Sequence, residues 1–154
     1  MPTAEQRLQE LGLSLPTVST PVANYVPFVR TGNLLFVAGQ VPRGDDGVMI
    51  TGKVGADVGL EAAYDAARRC GLSALAVVKS AIGDLEKVTR VVRVMGLVNA
   101  VPEYTQQPQV INGFSDLMVN VFGDKGKHAR AAFGAGSLPG QAAVEVESVF
   151  EVRD

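Results

Sequence analysis

The chain has 154 residues, 47% hydrophobic and 19% charged, with a mean hydropathy of +0.18; this is the composition of one folded domain and excludes extended disorder. A net charge of −2, with a single short basic cluster of Lys125, Lys127, His128 and Arg130, argues against sequence-independent attraction to nucleic acid. One cysteine and one histidine exclude an internal disulfide and a zinc site built from these residues alone, and no run nears the roughly 18 apolar residues of a membrane span.

At the N-terminus, Glu5, Arg7 and Glu10 stand where a signal peptide would have its apolar region, so a cytoplasmic location is expected. Thr3 and Gln6 have capping-box spacing ahead of Leu8 and Leu11, which predicts a short helix over Ala4 to Leu11. The segment from Ser14 to Pro21 ends it with two prolines. Residues 1–21 therefore read as a helix and linker appended to a main domain at 22–154. Between Tyr25 and Ala38 two extended runs flank Thr31-Gly32-Asn33, a hairpin signal. Gly44-Asp45-Asp46-Gly47 writes another turn, and Val48 to Val54 is read as a further strand.

From Asp57 to Ile82, the residues Leu60, Tyr64, Ala67, Leu75, Val78 and Ile82 recur at three- and four-residue steps, with Gly71 in the missing place. The spacing predicts an amphipathic helix closed by Gly83. Val88 to Val98 is a β-branched run interrupted by Arg90 and Arg93, a strand pattern. Beyond the loop from Pro102 to Pro108, a second helical face runs through Val110, Ile111, Phe114, Leu117, Met118 and Val121 to Gly123. Ala129 to Ala135 and Ala143 to Val152 are the last two strands, joined by Gly136-Ser137-Leu138-Pro139-Gly140.

This order predicts an α+β fold with two helices on one face of a mixed sheet. In the last strand Val144, Val146, Phe150 and Val152 alternate with Glu145, Glu147 and Glu151, whereas the residues alternating with Val91, Arg93 and Met95 are also mostly apolar. A sheet covered on one side but apolar on both buries its second face against another copy, so a homo-oligomer is expected.

Arg130 stands out because Ala129-Arg130-Ala131-Ala132-Phe133-Gly134-Ala135 is otherwise small or apolar. A guanidinium in such surroundings needs an anion. Two readings are open: a cross-strand ion pair with Glu145 or Glu147, or a fork for a ligand carboxylate with a glutamate positioning water. Gly134-Ala135-Gly136 resembles the start of a dinucleotide fingerprint, but another strand follows it and not a helix, so it is discounted. His128, beside two lysines, is expected in solvent, and Cys70, in mid-helix without a histidine partner, is expected to be a packed, inert thiol. No serine sits in a nucleophile-elbow motif, and no clustered carboxylates suggest a metal.

Two regions, Thr31-Gly32-Asn33-Leu34-Leu35-Phe36-Val37-Ala38-Gly39-Gln40-Val41-Pro42 and Arg130 through Leu138-Pro139 to Val144-Glu145-Val146-Glu147, resemble the signature regions of the RidA/YjgF family. These are the reactive-intermediate deaminases, whose relatives also carry the name L-PSP endoribonuclease. The resemblance covers about residues 22 to 152, with the N-terminal helix outside it as in one longer subfamily. It implies a chorismate-mutase-like α+β fold in a homotrimer, the sheets forming a central barrel with the helices outside and the ligand sites in clefts between subunits.

The resemblance also assigns roles. Arg130 would grip the substrate carboxylate and Glu145 would serve the attacking water, with Tyr25, Asn112 and the backbones of Gly39 and Ala132 lining the pocket. The implied reaction is hydrolytic deamination of a reactive enamine or imine, a 2-iminocarboxylate giving a 2-oxocarboxylate and ammonia, with no cofactor and no metal. The expected partner is then a small imino or 2-oxo acid. Relatives usually have serine at the place of Ala38 and cysteine at that of Ala132, so this pocket is larger and more apolar and suits a bulkier ligand side chain. The alternatives are a small-carboxylate binding protein without turnover and an L-PSP-type endoribonuclease. The acidic pI of 5.4 argues against the endoribonuclease.

Overall fold

Thr3 opens the first helix with the capping box its spacing predicts: its Oγ1 accepts from the Gln6 amide at 3.1 Å, and Gln6 Oε1 accepts from the Thr3 amide at 2.8 Å. The helix, α1, spans Ala4–Glu10. The structure is a computed structural model that describes residues 1–18 and 23–154, so residues 19–22 of the expected linker lie outside the described residues. α1 is docked on the rest of the chain. Ala4 and Leu8 are buried, the Ala4 amide donates to Glu86 Oε2 at 2.7 Å, Glu5 pairs with Lys79 at 2.6 Å, and Arg7 Nη1 donates to the Val121 carbonyl at 3.2 Å.

Strands β1 (Phe28–Thr31) and β2 (Leu34–Gln40) form the hairpin expected around Gly32, which takes the positive φ of 58° that a side chain there would resist. Helix α2 (Leu60–Ile82) ends at Gly83, also at positive φ, whose amide donates to the Lys79 carbonyl. Strand β3 (Val88–Asn99) leads through a loop to α3 (Gln107–Phe122), and α3 to β4 (Ala129–Ala135), before β5 (Val144–Val152) closes the sheet. The sheet order is β1-β2-β5-β3-β4, with β3 and β4 parallel and every other pair antiparallel. The α+β fold with a mixed sheet is thus as expected, and α3 is the crossover that a parallel pair requires.

Val48 to Val54 is not a strand. Only isolated bridges form there, such as Thr51 to Ala142 and Val54 to Ala100. The reason is that β5 already has both neighbours, β2 and β3, while the segment passes over the end of the sheet: the Val54 amide donates to Asn99 and the Ala143 amide to Ile50. Gly52 and Gly55, both at positive φ, turn it there.

Helices α2 and α3 cover one face. Val91, Val94, Val98, Val144, Val146 and Phe150 point at Ala67, Leu75, Val78, Ile111 and Phe114 to make the core. The two helices touch at Gly113 and Gly71: a Cβ on Gly113 would collide with the Tyr64 carbonyl, and one on Gly71 would meet Leu117 Cδ2 at 2.7 Å. Among the described residues, the opposite face carries no helix. Register places Phe36, Val149 and Arg93 in one row across it, and Glu145, Leu97 and Phe133 in another. Phe36 and Phe133 are each 43% exposed and Val29 is 54% exposed, which is the bare apolar face the alternation predicts.

Candidate active site

Arg130 lies on β4, an edge strand, opposite Val94, and its side chain turns to the helix-covered face. Nη1 donates to Asn112 Oδ1 at 2.8 Å and to Ser115 Oγ at 3.1 Å, and Nη2 to the Pro108 carbonyl at 3.4 Å. All three acceptors come from α3, where Asn112 and Ser115 share a face at i, i+3 spacing. The cross-strand ion pair with Glu145 or Glu147 does not form, because β4 pairs with β3 and not with β5. Among the described residues Arg130 has three neutral acceptors and no carboxylate within ion-pair distance. A guanidinium has five N–H donors, so the Nε hydrogen and one Nη2 hydrogen are left for another acceptor.

His128 is not in solvent as expected. It is half-buried, with Nε2 at 2.9 Å from Ser115 Oγ and Nδ1 at 2.6 Å from the Gly126 carbonyl. Burial, with the nearby Arg130 charge, holds its pKa below the ordinary histidine value, against the opposing pull of the Gly126 carbonyl. Ser115, His128 and the Pro108 carbonyl were not legible as part of the Arg130 environment. The usable signals were the i, i+3 spacing of Asn112 and Ser115 and the place of His128 two residues before Arg130.

Glu145 is elsewhere. It lies on β5 opposite Leu97, on the bare face of the sheet, and its carboxylate packs over Gly39, where a Cβ would come within 2.9 Å of Oε2. Burial raises its pKa above the ordinary carboxylate value, and the Glu147 charge adds to the effect. Gly39 lies within the irregularity in the β2–β5 register between Val37 and Gln40, and its open side meets Glu145. Ala38 lines a shallow groove beside it with Phe36, Glu147 and Val149. Tyr25 is exposed ahead of β1, and Ala132 faces the helices opposite Gly96.

The predicted site residues therefore do not come together within one chain: Arg130, Asn112 and Ala132 lie on the helix side of the β4 edge, Glu145 and Gly39 on the bare side of β5 and β2, and Tyr25 stands apart ahead of β1. β3 stands between β4 and β5, a separation of about 9.6 Å in the sheet plane. Cys70 is fully buried, and burial first, then the Glu145 charge, raises its thiol pKa well above the free value, as expected of an inert core thiol.

A family model described as "YjgF/chorismate_mutase-like, putative endoribonuclease" matches residues 5–151. The chain belongs to this YjgF/chorismate-mutase-like family. The YjgF match takes in most of α1 as well as the sheet and the two long helices. Among its relatives, the protein TCP17 of Trypanosoma cruzi is 43% identical over 148 residues, covering 96% of this chain and 92% of that protein. The crystal structure of the protein Atu1372 from Agrobacterium tumefaciens is 47% identical with a TM-score of 0.90, covering 98% of this chain and 94% of that one. The crystal structure of "a putative endoribonuclease" from Shewanella oneidensis is 32% identical with a TM-score of 0.94, covering 98% of this chain and 100% of that one.

Proposed function

We propose that the protein is a deaminase of reactive 2-iminocarboxylates, working as a homotrimer with its sites between subunits. The observation that carries this reading is the Arg130 guanidinium, held by three neutral oxygens with two N–H donors to spare. Two donors on one planar fork match a carboxylate. Asn112 and Ser115 hold the fork, so that binding a 2-imino acid costs little rearrangement.

Glu145 is the group that handles water. Its raised pKa makes it a better proton acceptor than a solvated glutamate once ionised, and its carboxylate faces the side of the sheet that no helix covers. Water adds to the carbon of the protonated imine as the carboxylate takes one of its protons, giving a neutral carbinolamine. The carboxyl returns that proton to the nitrogen, and the regenerated carboxylate then removes the hydroxyl proton as the carbon–nitrogen bond breaks, so that ammonia leaves and the 2-oxo acid remains. Arg130 and Glu145 of one chain lie on opposite sides of the sheet, so the site that uses both joins Arg130 of one copy to Glu145 of the next. The exposed Val29 and Phe36, with the half-buried Val149 in the same row and Phe133 beyond it, supply the apolar contact surface for that assembly.

The endoribonuclease activity for which some relatives are named needs a surface that binds phosphates, and a chain with a net charge of −2 and one short basic cluster is poorly suited to it. The test is to supply imines of several amino acids, generated in place by an amino-acid oxidase, and to follow 2-oxo acid release. Wild type is expected to accelerate release above the buffer rate and Arg130→Ala to lose that acceleration. No acceleration with any imine, while 2-oxo acids still bind, identifies a carboxylate-binding protein without turnover.

A further inference from the structure

We propose that Ser115 and His128 form a hydrogen-bond relay that orients Arg130 and makes anion binding at that guanidinium respond to pH. This rests on the reading of Arg130 as the carboxylate anchor.

The direction of each hydrogen bond follows from elementary chemistry. The Gly126 carbonyl can only accept, so His128 Nδ1, 2.6 Å away, carries a hydrogen. In the neutral ring Nε2 then has a lone pair and accepts from the Ser115 hydroxyl at 2.9 Å. With its hydrogen so placed, Ser115 Oγ presents a lone pair to Arg130 Nη1 at 3.1 Å, while Asn112 Oδ1 takes the other Nη1 hydrogen at 2.8 Å. The chain runs in one sense, from Arg130 through Ser115 and His128 to the Gly126 carbonyl. Gly126 is itself fixed in place, since a Cβ there would collide with the Met118 carbonyl.

Protonating His128 at Nε2 reverses the middle link. The ring becomes a second donor to Ser115 Oγ, the serine hydrogen is released, and a positive charge stands one hydroxyl away from the guanidinium. The other charged groups nearby do not offset it. On the turn before β4, Lys125 and Lys127 add positive charge, with Lys127 paired to Asp124 at 3.0 Å; on α3, Asp116 accepts from the Tyr64 hydroxyl at 2.7 Å; on β3, Arg93 lies in the bare-face row opposite Ala129. An anion at Arg130 relieves the repulsion between the two cations. Binding therefore raises the His128 pKa, and by reciprocity the anion binds more tightly as pH falls through that pKa.

His128 is the only histidine in the sequence, so its ring proton signals are unambiguous in an NMR titration. With 2-oxobutanoate as the probe, the His128 midpoint is expected to rise by roughly 0.7 pH unit, and calorimetry is expected to show binding that tightens as pH falls through the midpoint, toward a limit of about fivefold below it. His128→Gln is expected to bind with a flat pH profile. Ser115→Ala is expected to weaken binding severalfold across the range, and Ser115→Thr, which keeps the hydroxyl, to restore it. A midpoint unmoved by the probe, or a His128→Gln profile identical to that of wild type, overturns the relay. Arg130→Ala separates the two readings: if it abolishes binding but leaves the probe-free His128 midpoint at its wild-type value, the anchor stands and the relay falls, whereas unchanged binding removes the anchor itself.

Discussion

At the scale of single residues, the proposed chemistry rests on two charged groups in opposite kinds of environment. Arg130 keeps its charge by spreading it over three oxygens, so the shape of the fork matters as well as its charge. Arg130→Lys preserves the charge but loses the planar pair of donors, and calorimetry with a 2-oxo acid is expected to show binding weakened at least tenfold. Glu145 works in the other direction, since its surroundings favour the protonated carboxyl. Glu145→Gln is expected to lower imine hydrolysis by about 10²–10⁴ while leaving 2-oxo acid affinity similar, whereas Glu147→Gln stays close to wild type. Equal rates for both variants and wild type in one assay would sink the water-handling role. The same raised pKa bears on stability. Because the folded pKa lies above the unfolded one, the stabilising contribution of the Glu145 carboxyl is complete below the unfolded pKa and disappears as pH rises through the folded value. Glu145→Gln is therefore expected to melt higher than wild type near neutral pH, and calorimetric scans are expected to show the difference vanishing in acid.

At the scale of elements, the contact of α2 with α3 decides where the anchor sits. Gly113 adjoins Asn112, and its missing side chain lets the α3 backbone rest on the Tyr64 carbonyl of α2. Gly113→Ala forces backbone against backbone, which no rotamer change relieves. It is expected to cost about 1–3 kcal/mol in denaturant unfolding and to weaken 2-oxo acid binding, because α3 carries Asn112, Ser115 and the Pro108 carbonyl together. Gly71→Ala meets side chains and not backbone, crowding only the flexible end of Leu117, and is expected to cost less. Similar losses for the two variants would show that the close approach at Gly113 is not what sets the helix spacing. The long elements were legible because each has one apolar period and a glycine stop. Val48 to Val54 misled because an apolar run says nothing about whether a sheet edge is free to receive it.

At the scale of the molecule, the bare sheet face and the divided site point to the same assembly. Light scattering is expected to give three times the 16.2 kDa chain mass at micromolar concentration. Phe36→Asp and Phe133→Asp, which put a charge on the exposed rows, are expected to shift the mass toward the single chain and to abolish imine hydrolysis together. A fully active single chain would require Arg130 and Glu145 to work independently, contrary to a shared site.

The sequence by itself determined the helices, the hairpin, four of the five strand positions to within a residue or two, the second apolar face and the unusual guanidinium, because periodicity, glycine stops and a charge among small residues are local signals. The Arg130 and Glu145 motifs were also readable, but not their relation in space. Tertiary structure decided that β3 inserts between β4 and β5, so that the ion pair suggested by chain order is replaced by contacts to α3. It also decided that His128 leaves solvent for Ser115 and that Glu145 faces away from Arg130. Strand order and the choice of face depend on which distant segments pair, and residue spacing along one chain carries no measure of that.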